Sequence, residues 1–104
     1  MSEKFTKGPW EIEHVFLFDT EPVFDVGPAG ALDDYRICRV YNEAGEDSSM
    51  EANAHLIAAS PLMFEALEEA RSQIIEVCQS TGTPLPEASI ERYDTALQQA
   101  RGES

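Results

Sequence analysis

"EANAHLIAASPLMFEALEEA" (residues 51–70) holds a proline inside what otherwise reads as one long helix. Just upstream, Ser48-Ser49-Met50-Glu51 has the form of a capping box: Ser48 can accept from the amide of Glu51, and Glu51 can reach back. Ala52, Ala54, Leu56, Ile57, Ala58 and Ala59 then predict a short helix of small side chains, packed on most sides. Within a continuous helix the Pro61 ring clashes with the Ile57 carbonyl and removes one hydrogen bond. Serine is a preferred N-cap, and proline suits the first turn of a helix. A break or sharp kink at Ser60-Pro61 is therefore expected, with a new helix beginning at Pro61.

Downstream, Met63, Leu67, Ala70, Ile74 and Cys78 recur at helical spacing, while Glu65, Glu68, Glu69, Gln73 and Glu76 mostly occupy the other side. Thr81-Gly82 ends this helix, and Pro84 and Pro86 prevent its continuation. A further helix runs from about Pro86 to Arg101, with Ile90, Tyr93, Leu97 and Ala100 on one face. The short connection makes the two long helices an antiparallel hairpin.

Upstream, the first 45 residues read as strands. "WEIEHVFLF" places Trp10, Ile12, His14, Phe16 and Phe18 on one face and opens with Glu11 and Glu13 on the other, the period of a one-side-buried strand. Pro9 suits its start. "EPVFDVG" and "YRICRVY" are the next two strands, separated by the "GPAG" turn, and "NEAGED" closes the region. The connections are too short for helical crossovers, so the strands form an antiparallel meander. The expected fold is α+β: a meander of about three strands, a short helix, a Ser-Pro break and an antiparallel helical hairpin. The chain is expected to be a single domain over 1–104, with a β region at 1–46 and a helical region at 47–104.

Twenty acidic residues stand against seven basic ones, a formal charge of −13. The acids are spread evenly, with no acidic tail to set aside. Without clustered Lys and Arg, direct binding to a phosphate backbone is not expected. The plain account of the charge is a soluble, self-repelling surface; the sharper one is a carboxylate array that competes with nucleic acid for a basic partner. No apolar run is long enough to span a bilayer, and "MSEKFTKGPW" lacks the apolar segment of a signal peptide. A cytoplasmic protein is expected, with Cys38 and Cys78 as buried free thiols; a reducing compartment opposes a disulfide between them.

Catalytic constellations are missing. His14 and His55 lie in no metal-ligand spacing with a cysteine. Glu51 and His55 share a helical face and could meet a metal or each other. No phosphate-binding glycine loop and no nucleophile motif of the GxSxG kind is present. Asp33-Asp34 and the group Glu43, Glu46 and Asp47 could bind a divalent cation, but neither follows the calcium-loop pattern, and adjacent carboxylates in turns are more often solvated. Trp10 is either a core anchor for the first strand or an exposed aromatic contact.

Two segments together, "FTKGPW" and "EANAHLIAASPLMFEAL", resemble small phage and prophage accessory proteins with the signature "TxGPW … ANAxLIAAAPxLLEAL". The matching residues are Thr6, Gly8, Pro9 and Trp10, then Ala52, Asn53, Ala54, Leu56, Ile57, Ala58, Ala59, Pro61, Leu62, Glu65, Ala66 and Leu67. His55, Ser60 and Met63-Phe64 depart from it, where the family often has Arg, Ala and two leucines. The resemblance implies an accessory protein of a bacterial virus, made inside the host, and such proteins often act on host factors, including defence components.

The functional expectation is non-enzymatic binding, without cofactor or metal. The partner would be a host protein, such as a defence or nucleic-acid-binding component, inhibited through an acidic surface that includes Glu65, Glu68, Glu69 and Glu76. The alternative is an oligomer sequestering a small nucleotide-type ligand, which the charge opposes unless Arg36 and Arg39 converge on it. A metal-dependent enzyme using Glu51 and His55 stands behind both. Self-association is expected as well. Phe16, Phe18, Phe24, Tyr35 and Tyr41 exceed what one side of so small a sheet can cover, and Met63 and Phe64 lie about 100° apart on their helix. A homodimer through Met63, Phe64 and Trp10 follows.

Overall fold

The computed structural model describes residues 5–18, 21–32, 34–41 and 47–102, apart from the side chains of residues 47 and 48. Five elements follow in chain order: β1 (Trp10–Leu17), β2 (Glu21–Pro28), β3 (Cys38–Val40), α1 (Asp47–Thr81) and α2 (Glu87–Arg101). The fold is α+β, as the sequence predicts. The chain gathers into two compact units, Thr6–Pro61 and Met1–Phe5 with Leu62–Ser104. The division between the units falls inside α1.

In the unit Thr6–Pro61 the strands pair antiparallel in the order β1-β2-β3. Trp10 stands opposite Pro28, Ile12 opposite Val26 and His14 opposite Phe24; on the other side of β2, Phe24 meets Val40 and Val26 meets Cys38. Phe24, Val26, Met50 and Ala54 form the buried cluster, and Trp10, Ile12, Cys38, Val40, Ile57 and Ala58 pack around it. The first turns of α1 thus cover one face of the sheet, and the small side chain of Ala54 allows the close approach. β2 is buried from Val23 to Gly27 on both of its faces. Gly27 shows why: a Cβ there would stand 2.5 Å from Leu32 Cδ1 and 3.1 Å from the Tyr35 carbonyl oxygen, so the segment after β2 lies directly on the strand.

Two strand expectations need correction. The covered stripe on β1 ends at Ile12: Trp10 and Ile12 pack on the buried cluster, whereas His14, although stacked on Phe24 at 4.7 Å, is exposed. Phe16 is 55% exposed, and Phe18 lies beyond the strand with φ 53 and 90% of its surface exposed. β3 is shorter than "YRICRVY", although the Ile37 amide still donates to the Val26 carbonyl at 2.7 Å.

The expected helix break is also absent: α1 runs unbroken through Pro61. Proline lacks the N–H that would reach the Ile57 carbonyl. The Ser60 hydroxyl supplies a donor in its place, at 2.6 Å from that oxygen. Ser60 therefore back-bonds to its own helix instead of capping a new one. Its predicted capping role is replaced by a repair. The capping box upstream depends on the Ser48 side chain, which lies outside the described residues.

In the other unit, α2 and the later part of α1 run antiparallel, joined by ion pairs of Arg71 with Asp94 and Arg101 with Glu68. Phe64 and Leu97 are buried; Leu67, Ala70, Ile74, Cys78, Ile90 and Tyr93 are half-buried. Gly102 ends α2 in the left-handed conformation, φ 80, its amide donating to the Gln99 carbonyl at 3.1 Å.

Candidate functional site

The two stretches that carry the sequence signature meet at one place. A Cβ on Gly8 would stand 2.7 Å from Cβ of Pro61, so the "GPW" segment lies against the proline that interrupts the α1 hydrogen-bond ladder. The Gly8-Pro9 peptide is cis. Next to it, Trp10 donates from Nε1 to the Thr6 carbonyl at 3.1 Å while its ring packs on the core cluster. Of the two readings of Trp10, the core anchor describes its packing. Gly8, Trp10, Ala54, Ile57, Ala58 and Pro61 of the signature thus form a packing joint. That is a scaffold, with no exposed reactive group among them.

Among the described residues of this unit, Asp25 is the buried acid, 6% exposed on the central strand. Its β3 register partner Arg39 grips it with a fork, Nε to Oδ1 at 2.6 Å and a terminal nitrogen to Oδ2 at 3.1 Å. Arg36 approaches the same carboxylate at 3.6 Å. The Arg39 hydrogen bonds, with the charges of Arg39 and Arg36, hold the Asp25 carboxyl below its ordinary range against the opposing effect of burial. Arg36 and Arg39 do converge, but on Asp25. Neighbouring Cys38 has its thiol pushed up, first by burial and then by the Asp25 charge, which makes it a poor nucleophile. Cys38 and Cys78 are both free.

The remaining candidates stand as follows. Glu51 and His55 form an exposed pair at 3.6 Å across one helical turn. Among the described residues, no three His, Cys, Asp or Glu side chains gather as a metal site. Asp33, Glu43 and Glu46 lie outside the described residues, as does the Asp47 side chain, so the two acidic turn clusters have no described geometry. A groove of about 350 Å³ is lined by Glu11, Glu13 and Asp34 beside Ala31 and Leu32, with Glu11 accepting from the Gly30 amide at 3.1 Å.

The α1–α2 unit separates the two interface candidates on α1. Phe64 is buried, edge-on to Phe5 with centroids 5.0 Å apart and beneath the Arg101 guanidinium at 5.3 Å. It belongs to the hairpin interior and is withdrawn from any surface contact. Met63, the next-door position expected on the apolar face, is 52% exposed. On the acidic surface, Glu68 is taken by Arg101 at 3.1 Å. Glu69 accepts from Gln73 at 3.1 Å and stays exposed, as do Glu65 and Glu76. At 100° per residue these last three lie within about 40° of one another, one carboxylate stripe along the helix.

The charges of the two units share one pattern. Arg36, Arg39, Arg71 and Arg101, four of the seven basic residues, are engaged with carboxylates of their own unit. The sequence did not announce this consumption of cations. Its only signal was the Asp25–Arg39 register, which exists once β2 and β3 are paired.

Among the described residues no helix is long and apolar enough to cross a membrane. The model of one protein family, described as Salmonella phage P22 protein Y8K6, matches the chain over residues 1–104. No curated protein and no solved structure matches it.

Proposed function

This chain belongs to the family of Salmonella phage P22 protein Y8K6, and on that premise we propose that it is a phage accessory protein acting by non-enzymatic binding. The partner is a host protein with a basic surface, such as a defence or nucleic-acid-binding component, which the carboxylates occupy and inhibit in the host cytoplasm. The observation that carries this reading is the stripe of Glu65, Glu69 and Glu76, left exposed while neighbouring arginines are spent on internal pairs. A surface so depleted of free cations steers basic partners toward it and repels nucleic acid. The protein works as a homodimer, which would cover apolar side chains a monomer leaves in water, Phe16 and Phe18 among them.

Sequestration of a nucleotide-type ligand draws less support, because the cations it needs, Arg36 and Arg39, are held by Asp25. Metal-dependent catalysis draws less still, since Glu51 and His55 are exposed and paired with each other.

An affinity pull-down from host lysate tests the main reading. The parent chain should recover a basic partner at low salt. A Glu65→Lys/Glu69→Lys/Glu76→Lys variant should lose it, as should the parent at high ionic strength. Recovery of nothing at low salt, or equal recovery by parent and variant, would sink it.

A further inference from the structure

We propose that the outer edge of β1 is the surface on which two copies of this chain join, pairing antiparallel about a two-fold axis at His14. This deepens the dimeric part of the reading above by giving it a place. β1 is an edge strand eight residues long, while the opposite edge, β3, has only three. Such an edge offers a row of backbone donors and acceptors to another strand, and proteins normally blunt one of this length. Here Glu11 and Glu13 charge the first half of the strand, while Phe16, 55% exposed, and Phe18, 90% exposed, stand at its other end.

The side chains of β1 select both occupant and register. Side chains directly opposite one another in a sheet lie on the same face, and a one-residue slip turns the strand over. Two copies that continue one core face must therefore pair even-numbered residues with even and odd with odd. Registers that set Glu11 opposite Glu13, or Glu13 opposite itself, bring like charges together and are disfavoured. A two-fold at His14 sets Glu13 opposite Val15 and Glu11 opposite Leu17, with no acid facing an acid. It also lays Phe16 against the partner's Ile12 and brings Phe18 to the end that carries the partner's Trp10. A two-fold at Val15 pairs no two acids within the strand, but it engages only residues 13–17 of it, against 11–17 for His14, and it turns Glu11 toward the register position of Asp19. The surface is thus complementary to itself. Closed two-fold pairing also leaves no further long edge, so association stops at the dimer.

Light scattering coupled to size exclusion at micromolar concentration, on the full chain, should give twice the 11.5 kDa chain mass. Phe16→Glu, at an exposed position, should return the mass to that of one chain with unchanged circular dichroism. Mild oxidation should cross-link His14→Cys into a dimer, because the two-fold sets that position against itself. Glu13→Cys, and the parent with its native thiols, should stay uncross-linked. A monomeric parent would overturn both the dimer and its site, yet leave the host-binding reading standing if the pull-down still recovers a partner. A dimer that ignores Phe16→Glu, or that cross-links through Glu13→Cys instead, would place the interface or the register elsewhere and overturn this proposal alone. A monomer whose β1 amides gain protection only when a host partner is added would give the edge to that partner, and would overturn it too.

Discussion

The unit Thr6–Pro61 holds Val23, Phe24, Val26, Leu32, Met50 and Ala54 as buried apolar residues, whereas Met1–Phe5 with Leu62–Ser104 holds Phe64 and Leu97. A three-strand sheet with a helix on one face and a loop on the other can enclose side chains completely. Two helices alone cannot, because each leaves most of its circumference to water. The hairpin offsets its thin interior with polar fastenings: Arg71 on Asp94 at 2.5 Å, and Arg101 on both Glu68 and the Phe64 ring. Partly exposed ion pairs of this kind contribute about 0.2–1 kcal/mol each, less than the burial of one large side chain. The hairpin should therefore open at a lower free energy than the sheet unit.

Truncating one buried ring in each unit tests this inequality most strongly. Phe24→Ala is expected to cost about 3–5 kcal/mol and to lower the main denaturant transition of the chain. Phe64→Ala removes a comparable volume, yet is expected to abolish amide protection at residues 87–101 while leaving protection in β2 near its parent value. Equal loss of protection in both units in the Phe64→Ala variant would show that they unfold as one.

A smaller effect separates the units by pH. Arg39→Ala leaves the buried Asp25 carboxylate with only the more distant Arg36, and is expected to lower the urea midpoint at neutral pH. Asp25 is held below its ordinary range in the folded chain, so its stabilisation is fully present above the unfolded value, near 3.9, and fades as pH falls through the folded value. The difference in urea midpoint between parent and Arg39→Ala should accordingly be constant from neutral pH to about pH 5 and shrink below pH 4. A difference that persisted unchanged into strong acid would mean that Arg39 acts by packing rather than by charge.

Much of the sheet unit was legible in the sequence, because period-two alternation and turn residues are local signals. β2 and the helix limits at Thr81 and Arg101 emerge close to where composition places them. The helix that continues through Pro61 turns on a local bond, Ser60 to Ile57, but three other failures share a cause, since each depended on an atom brought from elsewhere. Cover for β1 ends where the cluster built on Met50 and Ala54 ends, which leaves Phe18 in water despite its place in the alternation. Convergence of Arg36 and Arg39 entered only as the condition for a nucleotide-type ligand, and cross-strand register places Asp25 where that ligand would sit. Met63 and Phe64 were legible as neighbours about 100° apart on their helix; that Phe64 turned inward was set by Phe5 and Arg101, distant in sequence.

Gly8→Ala probes the joint within the sheet unit. The added Cβ would fall 2.7 Å from Cβ and 3.2 Å from Cγ of Pro61, a stiff ring that cannot swing aside as a long side chain would. The expected cost is about 1–3 kcal/mol, as for overpacking elsewhere. Pro61→Ala removes the obstructing Cγ, so it should relieve part of that cost, and a double variant as unstable as the sum of the two single ones would show that Gly8 and Pro61 are independent.

The smallest effect concerns the seam itself. In the parent, the Ile57 carbonyl lacks a backbone donor because residue 61 is proline, and the Ser60 hydroxyl serves it at 2.6 Å. Ser60 is exposed, so in Ser60→Ala water can reach the carbonyl, and the expected loss is only about 0.5–1 kcal/mol. Pro61→Ala restores an N–H at position 61 that can close the ordinary helical bond to Ile57. The serine hydroxyl is then redundant, and Ser60→Ala should cost nothing in that background; with its better intrinsic helix propensity, alanine could even gain a few tenths of a kcal/mol. A urea-denaturation double-mutant cycle reads this coupling directly. If Ser60→Ala costs the same with proline or alanine at 61, the hydroxyl does not repair the helix, and α1 crosses the seam between the two units for some other reason.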